Sequence, residues 1–429
     1  MNGINTTNSN SPVSQSFDVL VIGGGPAGMS SAIAAAKGGA KVAIIEREYR
    51  LGGILNQCIH NGFGLHYFKV ELTGPEYANK FSKLVDEEKN ITVFLNTIVT
   101  DIDVDKKTLK VMNESGILTL NGKAIVLAMG CRERTAGAIM QGGYRPSGVF
   151  PAGQAQKFVN IEGKKVGEKV VILGSGDIGL IMARRMTFEG AEVKMVCELM
   201  PYSGGLKRNI VQCLDDFNIP LKFSTTITKV EGKNRVTGVW IAKVDEKSRP
   251  IPGTEEFVEC DTLLLSVGLI PENDLITNKG IAINNVTSGA IADEFRRTSK
   301  DGIFSCGNVL HVHDLADNAS IEAQTAGEAA ARYALINDLP TCDVNVSCDG
   351  KTVRYVVPNK ISKVGDKVTL YMRVGNVYKD KRLEVTSGGE VIFKKNAMIF
   401  APGEMESVVL DKSKLKGDVF VSLVDKEIK

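Results

Sequence analysis

The chain has 429 residues, a formal net charge of +2, and 43% apolar and 24% charged residues. Because a single hydrophobic core stops growing at about 250–300 residues, this length predicts two or three domains. The near-neutral charge provides no basic field that would attract nucleic acid or an anionic membrane. No apolar run approaches the roughly 20 residues that span a bilayer, so the composition predicts a soluble cytoplasmic protein.

Residues 1–16 are rich in Asn, Ser and Thr and contain neither a basic start nor an apolar run. They are therefore predicted to be a disordered tail and not a secretory signal. The eight cysteines are scattered, and no two are spaced C-x-x-C. That distribution argues against zinc, iron–sulfur and thioredoxin-like redox sites and predicts mostly reduced, buried thiols.

A Gly-rich loop near the N-terminus joins a predicted strand to a predicted helix. The strand, the helix and a following strand are expected at Phe17–Ile22, Met29–Gly39 and Lys41–Glu46. Gly23, Gly25 and Gly28 allow, in turn, the tight turn, the approach of a pyrophosphate and close packing of the helix on the strand. Glu46 ends the second strand, where its carboxylate can accept hydrogen bonds from ribose hydroxyls. This unit predicts a dinucleotide site.

The same pattern recurs about 150 residues later. Its strand, helix and second strand are expected at Lys169–Leu173, Leu180–Glu189 and Glu192–Glu198. Gly174, Gly176 and Gly179 repeat the glycine spacing, and Glu198 takes the place of the terminal acid. Two such units imply two dinucleotides, or one dinucleotide and a decayed site.

The second unit carries a signal for the type of nicotinamide cofactor. The carboxylate of Glu198 would repel a 2′-phosphate, and residues 199–205 contain no Arg or Lys that could bind one. This pattern favours NAD over NADP. Lys207 and Arg208 lie close enough to keep NADP open.

Two more apolar runs, Ala124–Gly130 and Thr262–Gly268, each end in glycine and are predicted to be the last strands of two parallel sheets. Beyond Pro340 the pattern changes to short strands separated by turns. These strands are expected at Val353–Val357, Lys367–Val374, Arg382–Thr386, Glu390–Lys395, Ser407–Leu410 and Val419–Val424. They predict a small β-sandwich without a chemical motif, which suits a docking or covering role.

The chain resembles the two-dinucleotide-binding flavoproteins related to the pyridine nucleotide-disulfide oxidoreductases. The first Gly-rich loop, the second unit and the late segment Asp301–Asn308 carry the resemblance. It implies that the first unit binds FAD and the second binds NAD(H). In the family the late segment usually ends in Gly-Asp, and the Asp binds the ribityl chain of the flavin. Asn308 stands at that position here, and its amide can still hydrogen-bond a hydroxyl.

The resemblance implies an α/β fold with two Rossmann-like domains, one inserted in the other, followed by a small C-terminal β-sandwich-like domain. We expect an FAD-binding domain at 17–149 and 271–340, an NAD-binding domain at 150–270 and a β module at 341–429. The expected FAD contacts are Gly23, Gly25, Pro26, Ala27, Gly28, Glu46, Gly53, Gly130, Gly307 and Asn308. The expected NAD contacts are Gly174, Gly176, Asp177, Ile178, Gly179, Glu198 and Gly268.

Three segments, Gly52–Cys58, Cys131–Thr135 and Gly143–Gly153, are similar to a narrower subgroup. It includes subunits of bacterial amine-, opine- and sarcosine-type dehydrogenases and flavoproteins paired with anaerobic glycerol-3-phosphate dehydrogenases. The match covers residues 17 to about 338. It implies a hetero-oligomer in which the partner is a second dehydrogenase subunit, with a small Cys-rich protein in some assemblies.

Cys58 and the pair His311 and His313 are the remaining candidates for chemistry. Cys58 either is a single redox thiolate beside the flavin, if a helix N-terminus lowers its pKa, or lines the flavin site. The segment His311–Asp314 is interpreted as part of the flavin pocket, and no metal is predicted. A helix over about 320–335 follows, and the resemblance implies that its positive start points at the pyrimidine edge of the flavin.

The predicted reaction is hydride transfer between NAD(H) and FAD, in which the protein supplies position and electrostatics. Two alternatives remain at this point. One is a stand-alone NADH oxidase or a thiol/disulfide reductase that uses Cys58. The other is a non-catalytic subunit that holds nucleotides for assembly only.

Overall fold

The computed structural model describes residues 14–426. This part of the chain contains the α-helices α1 (Pro26–Lys37), α2 (Gly74–Glu87), α3 (Ala152–Asn160), α4 (Asp177–Phe188), α5 (Lys207–Cys213) and α6 (Ala316–Ile336). It also contains short 3-10 helices at Gly53–Gln57, Asp215–Phe217, Asp274–Ile276, Gly307–Val309 and Lys412–Lys414. None of the helices within 14–426 is both long and apolar enough to cross a membrane.

The first parallel sheet consists of short β-branched runs that are buried on both faces. Its strands lie in the spatial order Ile303–Ser305, Ala124–Leu127, Val19–Ile22, Val42–Ile45 and Ile91–Phe94. Because side chains alternate along a strand, Val19 and Val21 pack into the layer formed by α1, α2 and α6. Leu20 and Ile22 face the opposite layer.

A four-stranded sheet covers that opposite face. Its strands lie in the order Ser14–Ser16, Gly116–Asn121, Thr108–Asn113 and Ile98–Asp103. The disordered tail predicted for residues 1–16 is therefore wrong for residues 14–16, which pair in parallel with residues 119–121. The Asn121 side chain donates to Ser14 Oγ at 2.7 Å, a partner that local composition does not reveal. Residues 1–13 lie outside the described part.

The second parallel sheet repeats this three-layer design. Its strands lie in the order Val149–Pro151, Thr262–Leu265, Lys169–Leu173, Glu192–Cys197 and Leu221–Lys222. Helices α3, α4 and α5 pack on one face, and an antiparallel sheet covers the other. The strands of that antiparallel sheet are Thr225–Glu231, Gly238–Lys243 and Glu256–Val258. Two crossing segments, Cys131–Glu133 and Leu269–Pro271, pair with each other and join the two units.

The predicted positions of two strands within their sheets need one correction. Thr262–Leu265 is the last strand of the second sheet in chain order, as expected. Ala124–Leu127 is not the last strand of the first sheet, because Ile303–Ser305 joins the sheet later in the chain and pairs beside it. The late strand was missed because it has only three residues.

The strands from Val344 to Asp425 form the C-terminal module, which packs two antiparallel-rich sheets around one apolar core. One sheet contains Lys360–Ile361, Val344–Cys348, Val419–Asp425, Lys381–Ser387 and Glu390–Asn396. The other contains Val353–Val357, Lys367–Val374 and Glu406–Asp411. The two-residue strands Tyr378–Lys379 and Ile399–Phe400 form a further small antiparallel pair in this module. Another small antiparallel pair, formed by Asn61–Phe63 and Leu72–Thr73, lies in the first unit. The protein thus has an α/β fold with two Rossmann-type sheets and a strand-rich C-terminal region.

Candidate functional site

The first Gly-rich loop forms a cradle at the start of α1. Gly23 has a φ of +104°, and a Cβ there would lie 2.5 Å from the Ala128 carbonyl oxygen. A Cβ at Gly28 would lie 1.8 Å from the Gly23 carbonyl oxygen, so the helix touches the loop backbone. A Cβ at Gly25 would meet no protein atom within 4 Å. The loop is therefore closed at its first and third glycines and open at its second.

The open position at Gly25 fits the pyrophosphate of a dinucleotide. Gly25 is the N-cap of α1, and no side chain in the described residues caps this helix end. The N–H groups of the first turn consequently point at the opening and can bind an anion. Pro26 occupies the first helical position, where a missing N–H is harmless. The Cα atom of Gly25 also lies only 3.1 Å from where a Cβ of Gly53 would be, and Gly53 has a φ of +53°, so a side chain at this turn would be strained and crowded against the loop.

Glu46 lies at the end of strand Val42–Ile45, only 5% exposed, beside the loop. Its Oε2 accepts a hydrogen bond from the Gly24 N–H at 2.6 Å, and its Oε1 accepts one from the Glu48 N–H at 2.9 Å. A carboxylate oxygen can accept more than one hydrogen bond. The fixed carboxylate can therefore still receive a ribose hydroxyl.

The late segment brings Gly307 and Asn308 to the same edge of the first sheet. A Cβ at Gly307 would lie 2.6 Å from Ala27 Cβ, so the segment presses against the start of α1. The side-chain Oδ1 of Asn308 accepts from the His313 N–H at 2.9 Å, and the side-chain Nδ2 lies 3.6 Å from Cys131 Sγ. The amide is thus held by the chain itself and keeps spare capacity for a hydroxyl.

The second Gly-rich loop has the same closed geometry at its first and third glycines. A Cβ at Gly174 would lie 2.1 Å from the Ser266 carbonyl oxygen, and one at Gly179 would lie 2.4 Å from the Gly174 carbonyl oxygen. A Cβ at Gly176 would find only Ser266 Oγ, at 3.5 Å. Gly176 is the N-cap of α4, and the Gly179 N–H in the first turn of this helix donates to Ser266 Oγ at 3.1 Å. The second loop therefore also fits a pyrophosphate.

The two acidic residues that were predicted to contact NAD, Glu198 and Asp177, are held in place by hydrogen bonds from other residues of the chain. Glu198 Oε2 accepts from both the N–H and the hydroxyl of Ser175, at 2.8 and 2.6 Å. Asp177 Oδ1 accepts from the Leu206 N–H at 2.8 Å and the Asn209 side chain at 2.7 Å. Asp177 thus anchors the start of α5, a role that its sequence position did not indicate.

The remaining predicted contacts lie near the two loops. Gly130 and Gly268 have positive φ values of +75° and +99°, and each follows a strand that pairs with the strand leading into its loop. Gly130 has no atom within 4 Å of a would-be Cβ, and Gly268 has only the Arg134 side chain at 3.9 Å. Both positions therefore leave room for a bound nucleotide. Ile178, in the first turn of α4, packs partly buried against the core of the second unit.

Cys58 is the C-cap of the 3-10 helix Gly53–Gln57, and its carbonyl oxygen accepts a hydrogen bond at 2.9 Å from the N–H of Gly74, the first residue of α2. Burial raises the pKa of its thiol to about 12. Its Sγ lies 3.3 Å from the Ile54 carbonyl oxygen and 3.7 Å from Gln156 Oε1. The prediction that a helix N-terminus lowers the pKa of Cys58 is therefore wrong, because burial raises this pKa although the start of α2 lies beside the residue. All eight cysteines are unpaired.

Four nitrogen atoms surround the buried carboxylate of Glu322, in α6. Its Oε1 lies 2.9 Å from His311 Nε2 and 3.1 Å from Arg296 Nε. Its Oε2 lies 3.0 Å from His313 Nε2 and accepts from the Gly307 N–H at 2.9 Å. Burial alone would raise the pKa of Glu322, but the neighbouring histidines and the guanidinium hold it well below its usual range. The carboxylate thus fixes the backbone of the late segment.

His311, His313 and Glu322 also form a group whose ligand atoms lie within 4.8 Å of one another. Glu322 Oε2 already accepts a hydrogen bond from the Gly307 N–H, and Arg296 supplies the positive charge that an ion would supply. Burial lowers the pKa of His311 to about 4, which keeps its ring neutral at neutral pH. We therefore assign the group to a buried ionic network and not to a metal site.

Helix α6 begins at Ala316, four residues before its predicted start. Asp317, in its first turn, is 1% exposed and accepts from the backbone N–H groups of Gly64 at 2.9 Å and Tyr67 at 2.7 Å. Sequence analysis missed Asp317, Glu322 and Arg296. The available signal for the two acids was their place in an Ala-rich helix whose other buried positions are small.

Two open Gly-rich cradles, each with a fixed acid at the end of the following strand, define the class of two-dinucleotide oxidoreductases. The chain belongs to the pyridine nucleotide-disulphide oxidoreductase family, whose model matches residues 17–327. Members of this family use FAD and NAD(P)H, and the protein is an FAD-dependent NAD(P)H oxidoreductase.

Two curated relatives illustrate the range of the family. Hydrogen cyanide synthase subunit HcnB of Pseudomonas protegens is 25% identical over 347 residues, which cover 76% of this chain and 70% of that one. A subunit of alkyl hydroperoxide reductase from Staphylococcus aureus is 26% identical over 324 residues, which cover 73% of this chain but only 58% of that one.

Two solved structures share the fold. Thioredoxin reductase from T. acidophilum matches with a TM-score of 0.60 and 23% identity, and the match covers 74% of this chain and 98% of that one. An NAD-dependent persulfide reductase from A. fulgidus matches with a TM-score of 0.58 and 18% identity. The second match covers 96% of this chain and 74% of the other, so it extends over the C-terminal module.

Proposed function

We propose that the chain transfers hydride between NAD(H) and FAD and exchanges the electrons with a partner dehydrogenase subunit. The observation that carries the proposal is the pair of open cradles in a chain whose described residues offer no dithiol. When bound, FAD accepts or releases the hydride and passes electrons on. The chain itself binds and orients the two nucleotides.

The residues assigned to FAD binding act in four ways in this proposal. Gly23, Gly28 and Gly53 allow close backbone approach, and Gly25, Pro26 and Ala27 present the start of α1 to the pyrophosphate. Glu46 receives ribose hydroxyls. Gly130, Gly307 and Asn308 border the path of the flavin. Glu322 positions Gly307 and the adjacent Asn308, because its carboxylate accepts a hydrogen bond from the Gly307 N–H.

The second cradle is proposed to bind NAD(H) in preference to NADP(H). Three donors hold the carboxylate of Glu198 in place: the N–H and hydroxyl of Ser175 and the Met200 N–H, at 2.9 Å. A fixed negative charge at this position repels a 2′-phosphate. Of the two basic candidates, Lys207 and Arg208, the second has its Nη2 2.9 Å from where a Cβ of Gly62 would be, in the first unit.

A partner protein would supply the electron acceptor or donor that the described residues lack. Thiol chemistry through Cys58 would need a thiolate, yet burial raises the pKa of this thiol to about 12. The relative HcnB is by its name one component of a larger enzyme. Together with the narrower resemblance, these points favour a partner that oxidises a small substrate of the glycerol 3-phosphate or amine type, with a small Cys-rich protein as a further component.

A thiol or disulfide reductase is the second candidate, favoured by the similarity to the alkyl hydroperoxide reductase component. Cys58 would be its catalytic residue, because it directly follows the turn that packs on Gly25.

The two candidates are separated by purifying the native protein under mild, low-salt conditions and assaying the isolated chain. The partner proposal predicts co-purification of a second flavoprotein and, for the chain alone, NADH-dependent dye reduction without turnover of glycerol 3-phosphate, sarcosine or a disulfide. A stable homomer that completes substrate-to-NAD turnover unaided would contradict it. Rapid disulfide reduction by the isolated chain would favour the second candidate.

A further inference from the structure

The C-terminal module is seated on the first unit by charged contacts that lie beside the late segment. Arg373, on strand Lys367–Val374, forms an ion pair with Asp314. Its Nη2 also donates to the Val312 carbonyl oxygen at 3.1 Å. Both partners of the pair are largely buried, with 16% and 18% of the side chains exposed. Arg373 therefore contacts two residues, Val312 and Asp314, of the segment that follows Asn308.

The same guanidinium holds a loop of its own module. Arg373 Nη1 donates to the Pro402 carbonyl oxygen at 3.0 Å. The Met405 N–H donates to Asp314 Oδ2 at 2.6 Å, so both ends of the loop are fixed on one carboxylate and one guanidinium. Because a guanidinium is planar and rigid, it sets the distance between the loop and the Asp314 segment.

That loop reaches the second unit. A Cβ at Gly403 would lie 2.3 Å from the Gly204 carbonyl oxygen, so the two backbones are in direct contact. The neighbouring Ser203 hydroxyl donates to the Ser175 carbonyl oxygen at 2.9 Å, and Ser175 in turn donates to Glu198. The loop around Pro402 and Gly403 thus presses on the segment that frames the second cradle.

In the first unit, one hydrogen bond connects the residue before Asp314 to Asn308, which borders the first cradle. The His313 N–H, one residue before Asp314, donates to Asn308 Oδ1 at 2.9 Å. We call Val312, Asp314, Arg373, Pro402, Gly403 and Gly204 the Arg373 tie. The tie connects the C-terminal module to a segment beside each of the two cradles.

We propose that Arg373 is a positioning residue for both nucleotide sites: through Asp314 it orders the Asn308 segment for FAD, and through Pro402 and Gly403 it orders the Gly204 loop for NAD(H). The module then acts as a brace across the two units and is more than a docking surface. This inference rests on the two nucleotide sites proposed above and not on the partner protein.

Substitutions at Arg373 separate the two arms of the tie. Arg373→Met removes both arms, whereas Arg373→Lys keeps a charge for Asp314 but lacks the fork that also reaches Pro402. Gly403→Ala leaves Arg373 in place and pushes the loop away from Gly204. Val421→Ala is the matched control, because it opens a cavity in the core of the module without touching the tie.

The readouts are the Kd of FAD for the apoprotein, from flavin fluorescence, and the Kd of NAD⁺ for the FAD-loaded full chain, from calorimetry. We expect Arg373→Met to raise both Kd values by about fivefold or more. Arg373→Lys and Gly403→Ala should raise only the Kd of NAD⁺. Val421→Ala should lower the melting temperature and leave both Kd values within about twofold of the wild type.

Two results would overturn the proposed role of Arg373. One is an unchanged Kd of NAD⁺ in both Arg373→Met and Gly403→Ala. The other is Val421→Ala reproducing the effects of Arg373→Met, which would reduce the tie to general stability of the module. A wild type that bound FAD but no NAD⁺ would contradict the function proposed above. The Kd of FAD for Arg373→Met would still test whether Arg373 acts on the FAD site through Asp314.

Discussion

Gly25 and Gly28 stand three residues apart in one loop, yet a side chain should have opposite effects at the two positions. At Gly25 a Cβ meets no protein atom, so Gly25→Val should leave the apoprotein stable and block the pyrophosphate. At Gly28 a Cβ would lie 1.8 Å from a backbone oxygen, so Gly28→Ala should lower the free energy of unfolding by about 2 kcal/mol or more. Flavin content and thermal unfolding of the apoproteins measure the two effects. Full flavin content in Gly25→Val would refute the assignment of the first cradle.

Glu198 is the residue on which the preference for NAD depends. Glu198→Arg exchanges the fixed negative charge for a positive one and should shift the ratio of NADH to NADPH affinity by about tenfold or more toward NADPH. Glu192→Arg makes the same charge change at the exposed start of the same strand and should leave the ratio unchanged. Calorimetric Kd values for both nucleotides provide the test. Equal shifts in the two variants would show that the ribose site lies elsewhere.

At the scale of elements, a buried ion pair fixes the C-terminal module on the first unit. Glu294 and Lys412 are 2.5 Å apart, and their side chains are 6% and 4% exposed. Glu294→Gln leaves the ammonium buried without its counter-charge and should lower the free energy of unfolding by about 3 kcal/mol. Lys416→Met removes an exposed ion pair with Glu390 and should change the free energy of unfolding by less than about 1 kcal/mol. Urea unfolding measures both, and equal small effects would mean that the Glu294 pair does not hold the module.

The buried network around Glu322 should make the fold sensitive to acid. The folded His311 has a pKa of about 4, while an unfolded His titrates near 6.5. Between these values only the unfolded chain binds the proton, so stability is complete above about pH 6.5 and falls as the pH drops toward 4. His311 should contribute a loss of about 2 kcal/mol at pH 5 relative to pH 7.

Denaturant unfolding of variants at the two pH values tests this sensitivity. His311→Gln should flatten the pH dependence, whereas His66→Gln, at an exposed position, should not. A full pH dependence in His311→Gln would show that the network does not titrate as its burial indicates.

Elements with strong local patterns were predictable, and those made by distant pairing were not. The strand at Lys169–Leu173 has its predicted bounds, as do Val353–Val357 and Lys367–Val374. Each is an apolar or alternating run with clear turn signals. The pairs Tyr378–Lys379 and Ile399–Phe400 have two residues per strand and carry no periodic signal. They form because the core of the module brings their chains together.

The same distinction holds for the candidate sites. The glycine spacing of each cradle reports a local backbone geometry, and the structure places those glycines at closed and open positions that match the spacing. Glu322 lies 26 residues after Arg296, and Arg373 lies 59 residues after Asp314. Such contacts depend on how the sheets and the module pack, so no sequence window contains both partners.

For the whole molecule, the central claim is that hydride passes between NAD(H) and FAD without help from a thiol. The direct test is anaerobic mixing of the FAD-loaded chain with NADH, for the wild type and for Cys58→Ser, while the flavin absorbance is followed. Both proteins should lose the absorbance at rates within about threefold of each other. No loss of absorbance although both nucleotides bind, or a rate about a hundredfold lower in Cys58→Ser with FAD still bound, would contradict the account.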